Sequence, residues 1–343
     1  MYNFRNDYSQ GAHGDILNRI VQNNYEVNPG YGLDMHCMKA HNLIENELGR
    51  SDVDIHFISG GTQTNLLAAA AFLKPYQSII AIETAHILDN ETGAIEATGH
   101  KIIEVKGVNG KLPTSRIDEV MRAYGSEAKT QPKMVYITNA TETGTLYTLK
   151  ELQEISEKCK EYGLLLYLDG ARLAVALTAE TNDISLKDIA NYCDAFFIGG
   201  TKNGLIIGEA LVIVNDSLKP GFRYMYKQRG AMLAKGFFMG SQFEALFENG
   251  LFYKLGRHAN EMAKKLADGL VSAGVELYEK HYSNQIFILT SDEIIEKLKR
   301  DFLFEIMILP DGQKVVRFVT SWGTTEDEVD ALIGFFEDVK NEK

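Results

Sequence analysis

Cysteine is scarce in this sequence and is never paired at short range. The 343 residues contain only Cys37, Cys159 and Cys193, and no two of them form a CxxC pair. This spacing indicates neither a zinc cluster nor a disulfide framework. We therefore expect no metal site, and a reducing, cytoplasmic environment suits the chain.

Long basic runs and long apolar runs are also missing. Lysine and arginine number 35 against 47 acidic residues, which gives a net charge of −12. Nucleic acid and anionic membranes are therefore poor partners. No apolar run approaches the length of a membrane span, and the first ten residues lack the apolar core of a signal peptide. We expect neither a nucleic-acid nor a membrane partner.

Proline is rare as well, and what the sequence does contain is an alternation of apolar runs and amphipathic segments. Residues 149–163 are the clearest amphipathic segment and predict a helix with Gly163 as its C-cap. Apolar runs with little alternation, separated by helices, are typical of a mostly parallel sheet covered on both faces. The sequence therefore predicts an α/β fold with seven strands, at 55–59, 78–82, 101–105, 133–138, 164–169, 195–200 and 210–215.

The pattern changes after about residue 250, where helix-like and strand-like segments predict a smaller α/β unit. We expect an N-terminal arm over 1–30, a large domain over 31–250 and a small C-terminal domain over 251–343. No linker composition marks the boundaries.

Charged and polar residues follow several predicted strands directly. Asp169 closes one strand, Lys202 follows another, and Glu83 and His86 follow a third. Ligands of open parallel sheets lie beyond the carboxyl ends of the strands. These side chains are therefore candidates for one shared site.

The segment "SGGTQTNLLAAAA" at 59–71 predicts a strand, a glycine turn and the start of a helix. A helix N-terminus exposes unpaired N–H groups, and glycine lets an anion approach them, so this turn suits a phosphate. The alternative is a simple N-cap by Thr62 or Ser59. The spacing matches neither the P-loop nor the GxGxxG pattern, so a nucleotide is not indicated.

Each candidate also has an ordinary structural explanation. Lys202 could be a surface lysine, Asp169 an N-cap with Arg172 as its ion-pair partner, and His86 a loop histidine. Together, however, a phosphate turn, a strand-end aspartate, a nearby arginine and a later lysine match the needs of pyridoxal 5′-phosphate (PLP). Its phosphate needs N–H donors, its pyridine nitrogen a carboxylate and its aldehyde an amine.

At this point the sequence resembles a known family, the threonine aldolases of the β-eliminating lyase group. These are PLP enzymes with the aspartate-aminotransferase fold. The resemblance covers nearly the whole chain, and "DGAR" followed by "TK" is its most specific part. The matching segments are "FRNDYS" (4–9), "NPGYGLD" (28–34), "SGGTQTNLLA" (59–68), "ETAHILDNETGAI" (83–95), "LYLDGARLA" (166–174), "GGTKNG" (199–204) and "VVRFVTSW" (315–322).

The resemblance implies a role for each cofactor-binding position. Lys202 would bind PLP covalently and Asp169 would pair with its pyridine nitrogen. Gly61, Thr62 and Gln63 would bind the phosphate.

It also implies residues that bind the substrate and surround the ring. Arg172 and Arg317, with help from Asn6, would hold the amino acid's carboxylate, and Arg172 would also lie among the cofactor contacts. His86 would lie against the ring and handle the substrate hydroxyl, and Glu91 has a family counterpart near the site.

Two further segments are implied to lie between subunits. Tyr31, in the family's "YG.D" motif, would border a neighbouring subunit's site, and Arg229 or Lys235 would reach its phosphate. The segment 138–144 would face the cofactor. We therefore expect a homodimer or homotetramer with shared active sites.

The sequence also departs from the commoner aldolases. Asn6 and Thr201 stand where those have serine, and their glycine-rich "GGGMR" stretch appears only loosely at 227–236. The expected activity is cleavage of L-threonine or L-allo-threonine to glycine and acetaldehyde. The alternatives are another PLP β-eliminating lyase, an aminotransferase for a small amino acid, or a non-catalytic PLP-fold binding module.

Overall fold

The computed structural model describes residues 1–280, 282–309 and 312–341, and its strands form three sheets. The strands are β1 (Tyr2–Asn3), β2 (Asp54–Ile58), β3 (Gln77–Ile82), β4 (Lys101–Val105), β5 (Gln131–Thr138), β6 (Leu165–Asp169), β7 (Ala195–Gly199), β8 (Glu209–Ile213), β9 (Glu276–Leu277), β10 (Gln285–Leu289), β11 (Phe302–Leu303), β12 (Glu305–Ile308) and β13 (Lys314–Val319).

The helices lie between the strands as the amphipathic pattern predicts. They are α1 (Gly14–Asn23), α2 (Met35–Leu48), α3 (Gly61–Phe72), α4 (His86–Asp89), α5 (Thr114–Ala123), α6 (Leu149–Tyr162), α7 (Leu173–Thr178), α8 (Leu186–Tyr192), α9 (Phe222–Gln228), α10 (Phe237–Phe247), α11 (Leu251–Ser272), α12 (Asp292–Leu298) and α13 (Glu326–Asn341). Helix α6 matches the predicted 149–163 segment. A capping box of Thr148 and Glu151 starts it, and Gly163, at φ 64°, ends it.

The largest sheet has seven strands in the order β2-β8-β7-β6-β5-β3-β4. Within it β8 alone runs antiparallel to both its neighbours, and the other pairs are parallel. Strands β6 and β7 are buried along their whole length, as expected for a sheet with helices on both faces. The predicted, mostly parallel α/β fold is confirmed.

A smaller antiparallel sheet, in the order β12-β13-β10-β9, follows the large one in sequence. It has its own buried apolar cluster, built with α11, α12 and α13. Helix α11 joins the two cores, because its first turns pack into the large cluster and its later turns into the small one. The predicted boundary at residue 250 therefore falls at the start of a helix that both units share.

The first residues of the chain pack on the small unit. Strand β1 pairs in parallel with β11, and Phe4 is fully buried in the small cluster. Helix α1 then packs against α10 of the large unit. The predicted arm thus spans from one core to the other.

None of the helices in the described part of the chain combines the length and the apolar character that a membrane crossing needs.

Candidate active site

A cavity of about 360 Å³ lies at the carboxyl ends of the parallel strands. Helix α3, the turn after β7 and the N-terminal arm border it. Its lining residues are Tyr8, Ser59, Gly60, Gly61, Thr62, Asn65, His86, Asn90, Glu91, Thr138, Ala140, Glu142, Asp169, Ala171, Arg172, Phe197, Thr201, Lys202 and Glu209. Six of the residues predicted from sequence as catalytic or ligand-binding are in this set: Gly61, Thr62, His86, Asp169, Arg172 and Lys202. Glu91, which was expected near the site, is there as well.

Asp169 ends β6 as a buried carboxylate held by three donors. Its Oδ2 accepts the Tyr136 hydroxyl at 2.6 Å and the Asn65 amide at 3.0 Å, and its Oδ1 accepts the Ala171 N–H at 3.0 Å. Donors of this kind stabilise the charged form of a carboxylate and fix its direction. An oriented, buried carboxylate is what a protonated pyridine nitrogen needs as its partner.

Asn65 also connects Asp169 to the histidine at the opposite side of the cavity. The Asn65 amide donates to Glu91 Oε1 at 2.8 Å, and the same oxygen lies 2.9 Å from His86 Nδ1. This contact favours the tautomer with hydrogen on Nδ1, which leaves Nε2 as the acceptor. The His86 side chain keeps 41% of its exposure, so it is available to a ligand.

The N-terminus of α3 carries no side-chain cap. Its N-cap is Gly60, not Thr62 or Ser59, so the simple-cap alternative is wrong. A Cβ at Gly60 would meet nothing within 4 Å, and Thr62 is exposed. The N–H groups of this first turn, on a twelve-residue helix, are therefore open to an anion. The turn fits the phosphate of PLP.

Lys202 lies in a single 3₁₀ turn, Thr201–Asn203, directly after β7. It is half-buried rather than a surface lysine, and its Nζ lies 5.9 Å from the ring centre of Tyr8. Burial and then the charge of Arg172 lower the pKa of Lys202 below its ordinary value. A lowered pKa raises the fraction of neutral amine, the form that attacks an aldehyde.

Arg172 is bound to the arm and not to Asp169, so the ion pair considered from the sequence spacing is wrong. Its Nε and Nη2 donate to the two oxygens of Asp7, at 2.7 and 3.1 Å. Asn284 adds a third donor to Asp7 at 3.0 Å. Burial alone would raise the pKa of Asp7, but the charges of Arg172 and Lys202 hold it below its ordinary value.

Arg317 lies on β13 of the small unit and approaches the same region. Its Nε is buried without a hydrogen-bond partner among the described residues. Burial, and then the charge of Arg172, lower its pKa. Two guanidinium groups that repel each other, one with an unused donor, form a place where a carboxylate is stabilised.

Two carboxyl groups that we did not predict also line the cavity. Glu209 begins β8, and because this strand runs opposite to its neighbours, its first residue lies at the site edge. Its Oε2 accepts the Gly200 N–H at 2.9 Å, and burial raises its pKa to about 7. Glu142 lies in the predicted segment 138–144 and accepts the His86 N–H at 3.0 Å.

Other predicted residues lie outside the cavity lining. Asn6 uses its Oδ1 within the arm, where it accepts the Tyr8 N–H at 3.1 Å. The Gln63 Nε2 donates to the backbone carbonyl of Arg229 at 3.5 Å. Arg229, which is exposed, thus adjoins the α3 turn of its own chain. Tyr31 is exposed on the surface. Their roles stay predictions.

Sequence reasoning missed Asp7, Tyr8, Asn65, Glu142 and Glu209. Asp7 and Tyr8 were within a matching segment, but a polar arm gives no sign of the distant arginine that it binds. Asn65 follows the phosphate turn by one helical turn, a signal that could have found it. Glu209 reaches the cavity because of the direction of β8, and Glu142 because of the path of the loop after β5. Local sequence patterns report neither.

Comparison with known proteins places the chain beside aldolases. The family described as "Beta-eliminating lyase" matches residues 26–293. A low specificity L-threonine aldolase from Pseudomonas sp. (strain NCIMB 10558) is 32% identical over 336 residues, covering 96% of this chain and 95% of that protein. The enzyme of the same name from Escherichia coli (strain K12) is 26% identical over 279 residues, 80% of each chain.

Solved structures agree with this grouping. The structure of Leishmania major threonine aldolase matches with a TM-score of 0.97 and 47% identity, over 99% of this chain and 100% of that one. A Thermus thermophilus aspartate aminotransferase mutant matches with a TM-score of 0.74 at 13% identity, over 99% of this chain and 91% of that one. The second likeness concerns the fold alone, which is the one predicted.

Proposed function

This chain belongs to the β-eliminating lyase family, and we propose that it cleaves L-threonine or L-allo-threonine to glycine and acetaldehyde with PLP as its cofactor. The observation that carries the proposal is a single cavity that joins the three groups PLP needs. These are the carboxylate of Asp169, the amine of Lys202 and the uncapped turn at Gly61.

Each of these groups has a defined task in the proposal. Lys202 would hold PLP covalently, Asp169 would pair with its ring nitrogen, and the first turn of α3, with Thr62 and Gln63, would hold its phosphate. When bound, PLP supplies an electron sink for the pair of electrons that Cα keeps when its bond to Cβ breaks.

The two arginines would orient the amino acid. Arg172, held in place by Asp7, and Arg317, with its unused Nε donor, would bind the substrate carboxylate. Asn6, next to Asp7 in the arm, would assist. When the carboxylate and the amine of the substrate are both held, the substrate can no longer rotate freely about its bonds at Cα. The arginines therefore determine which bond at Cα is aligned for cleavage.

His86 would lie against the cofactor ring and contact the β-hydroxyl. Glu91 keeps hydrogen on Nδ1, so Nε2 is the atom that accepts a hydrogen bond from the hydroxyl. Removal of the hydroxyl proton accompanies the break of Cα–Cβ and gives acetaldehyde. Uptake of a proton at Cα gives glycine.

We further propose at least a homodimer with shared sites, located in the cytoplasm. The segment from α1 to α2 supports the assembly, because it exposes many apolar side chains. These are Leu17, Val21, Tyr25, Val27, Tyr31, Leu33, Met35 and Met38. Tyr31 of one chain, and Arg229 or Lys235, would complete the neighbouring site. Three buried, unpaired cysteines suit a reducing compartment.

A direct assay tests the function. The purified protein, loaded with PLP, should develop the visible absorbance of a covalently bound cofactor and release acetaldehyde from L-threonine, which a coupled alcohol dehydrogenase detects. Lys202→Ala should lose the borohydride-trapped adduct and several orders of magnitude of turnover. The matched control Lys74→Ala, at an exposed lysine, should keep both.

Failure of the assay distinguishes the alternatives. Absorbance without acetaldehyde would favour another PLP lyase or an aminotransferase. No absorbance after added PLP would favour a binding module.

A further inference from the structure

Glu142 is a cavity-lining carboxyl group that none of the proposed steps uses. It follows β5 and is anchored beside the catalytic histidine. Its Oε1 accepts the backbone N–H of His86 at 3.0 Å and the hydroxyl of Thr138 at 2.9 Å. These two bonds fix the position of the carboxyl group relative to His86 and to the end of β5.

The second oxygen of Glu142 is directed differently. Among the described residues, every hydrogen bond that another residue gives to this side chain ends on Oε1. The side chain lines the cavity, and Oε2 does not belong to the buried oxygens that lack a partner. It is therefore an acceptor that takes no hydrogen bond from another described residue, on a side chain that lines the cavity, and it is open to a ligand.

The charges around Glu142 suit a group that exchanges a proton. Burial, and then the neighbouring carboxylate of Asp169, raise the pKa of Glu142 above its ordinary value. On the other side, Arg172 is near enough for the charge of Glu142 to raise the pKa of the arginine. Glu142 is thus near both the cation proposed to hold the substrate carboxylate and the histidine proposed to contact the hydroxyl.

We propose that Glu142 contacts the β-hydroxyl of the substrate through Oε2 and takes its proton when the Cα–Cβ bond breaks. This inference rests on the proposed function and makes His86 the second partner of the hydroxyl.

The proton and electron count is balanced. The O–H bond breaks and its proton forms a bond to Glu142 Oε2. The electron pair of O–H forms the second C–O bond of acetaldehyde, and the pair of the Cα–Cβ bond stays with Cα. Uptake of one proton at Cα yields glycine, and the loss of one proton from Glu142 restores the carboxylate, so no oxidant or reductant is needed.

The test compares two reactions of the PLP-loaded protein. Threonine cleavage needs the β-hydroxyl proton to move, whereas exchange of the Cα hydrogen of glycine in D₂O, followed by NMR, does not. In Glu142→Gln, acetaldehyde formation should fall about 10²–10³-fold. Glycine exchange should stay within about threefold of the wild type, because the groups that hold PLP and carboxylate are intact.

His86→Phe is the matched comparison, since it keeps a flat ring but removes both nitrogens. If Glu142 takes the proton, this variant should lose less threonine cleavage than Glu142→Gln. PLP affinity, from titration of the visible absorbance, and the thermal unfolding midpoint should be unchanged in Glu142→Gln.

Three results would overturn the inference. They are threonine cleavage in Glu142→Gln within threefold of the wild type, a parallel loss of glycine exchange, or a larger loss in His86→Phe. A wild-type protein that exchanges glycine but releases no acetaldehyde would instead refute the proposed function, before any variant is measured.

Discussion

Asp169 accepts three hydrogen bonds from the protein, two on Oδ2 from Tyr136 and Asn65 and one on Oδ1 from Ala171. Together the donors hold the carboxylate in one orientation. A ligand nitrogen that carries a proton completes this arrangement without any movement of protein groups. We propose that this preorganisation is what Asp169 would contribute to the reaction.

Asp169→Asn tests this contribution. The amide removes the charge and places an NH₂ group against at least one of the three donors, so the variant should be destabilised by about 1–3 kcal/mol yet fold. Without the carboxylate of Asp169 the ring nitrogen of PLP would lack its partner, so PLP should bind more weakly and threonine turnover should fall about 10²-fold or more. Absorbance titration with PLP, the acetaldehyde assay and circular dichroism measure the three effects. Near-normal turnover would reduce Asp169 to a structural residue of the turn.

At the scale of elements, the sequence predicted the large sheet well. Strands β2 to β8 and helix α6 lie where apolar runs and the amphipathic segment indicated, because local hydrophobic patterns follow burial closely. The strand-end residues Asp169 and Lys202 could be found for the same reason, since parallel strands end at one edge.

Contacts between residues far apart in the chain could not be predicted from the sequence. The reversed direction of β8, which brings Glu209 to the site, depends on how the chain turns after Lys202, and the residues of β8 are apolar in either direction. The bond between Asp7 and Arg172 joins positions 165 residues apart. Local periodicity carries no information about a contact between residues so far apart in the chain.

The arm can be tested through Asp7. Asp7→Ala leaves the buried guanidinium of Arg172 without its partner, so the protein should lose about 3–5 kcal/mol of stability at neutral pH. The Michaelis constant for threonine should rise as well. The matched control Asp15→Ala removes an exposed acid of the same arm and should change neither.

The stability difference should also depend on pH. The folded-state pKa of Asp7 is lowered, so its contribution is complete above the unfolded pKa of about 4 and is lost as pH falls through the folded value. The unfolding midpoints of wild type and Asp7→Ala, measured over a pH series, should therefore converge below roughly pH 4. A constant difference down to low pH would contradict a charged Asp7 in the folded protein.

At the scale of the whole molecule, the proposed assembly depends on the exposed apolar surface of α1, α2 and the loop between them. Tyr25 and Val27 are almost fully exposed, at 93% and 101%. Two cationic side chains contact Tyr31. The Nζ of Lys227 lies 4.2 Å from the centre of its ring, and Nη2 of Arg223 donates to its backbone carbonyl at 3.1 Å. The loop is thus fixed in a shape that presents apolar groups outward, as a contact surface for a second copy requires.

Complementation tests whether the sites are shared. Chains with Lys202→Ala, and chains with Tyr31→Ala and Arg229→Ala together, should each be inactive or weak. Refolded as an equal mixture, they should recover about a quarter of wild-type activity, because half of the random dimers are mixed and each has one intact site. Light scattering must give at least a dimer. A monomer, or mixed dimers without recovered activity, would exclude a shared site.

The contacts of the arm also have a consequence for the order of folding. Strand β1 pairs with β11, the carbonyl of Phe4 accepts the N–H of Val319, and Asp7 accepts the amide of Asn284. Asp7 and Asn284 are 277 positions apart, and contacts across such a long loop form late in folding because the loop must close first. We therefore expect the large sheet to form before the arm docks beside Arg172. During refolding from denaturant, the recovery of activity should accordingly lag behind the recovery of the far-ultraviolet circular dichroism signal.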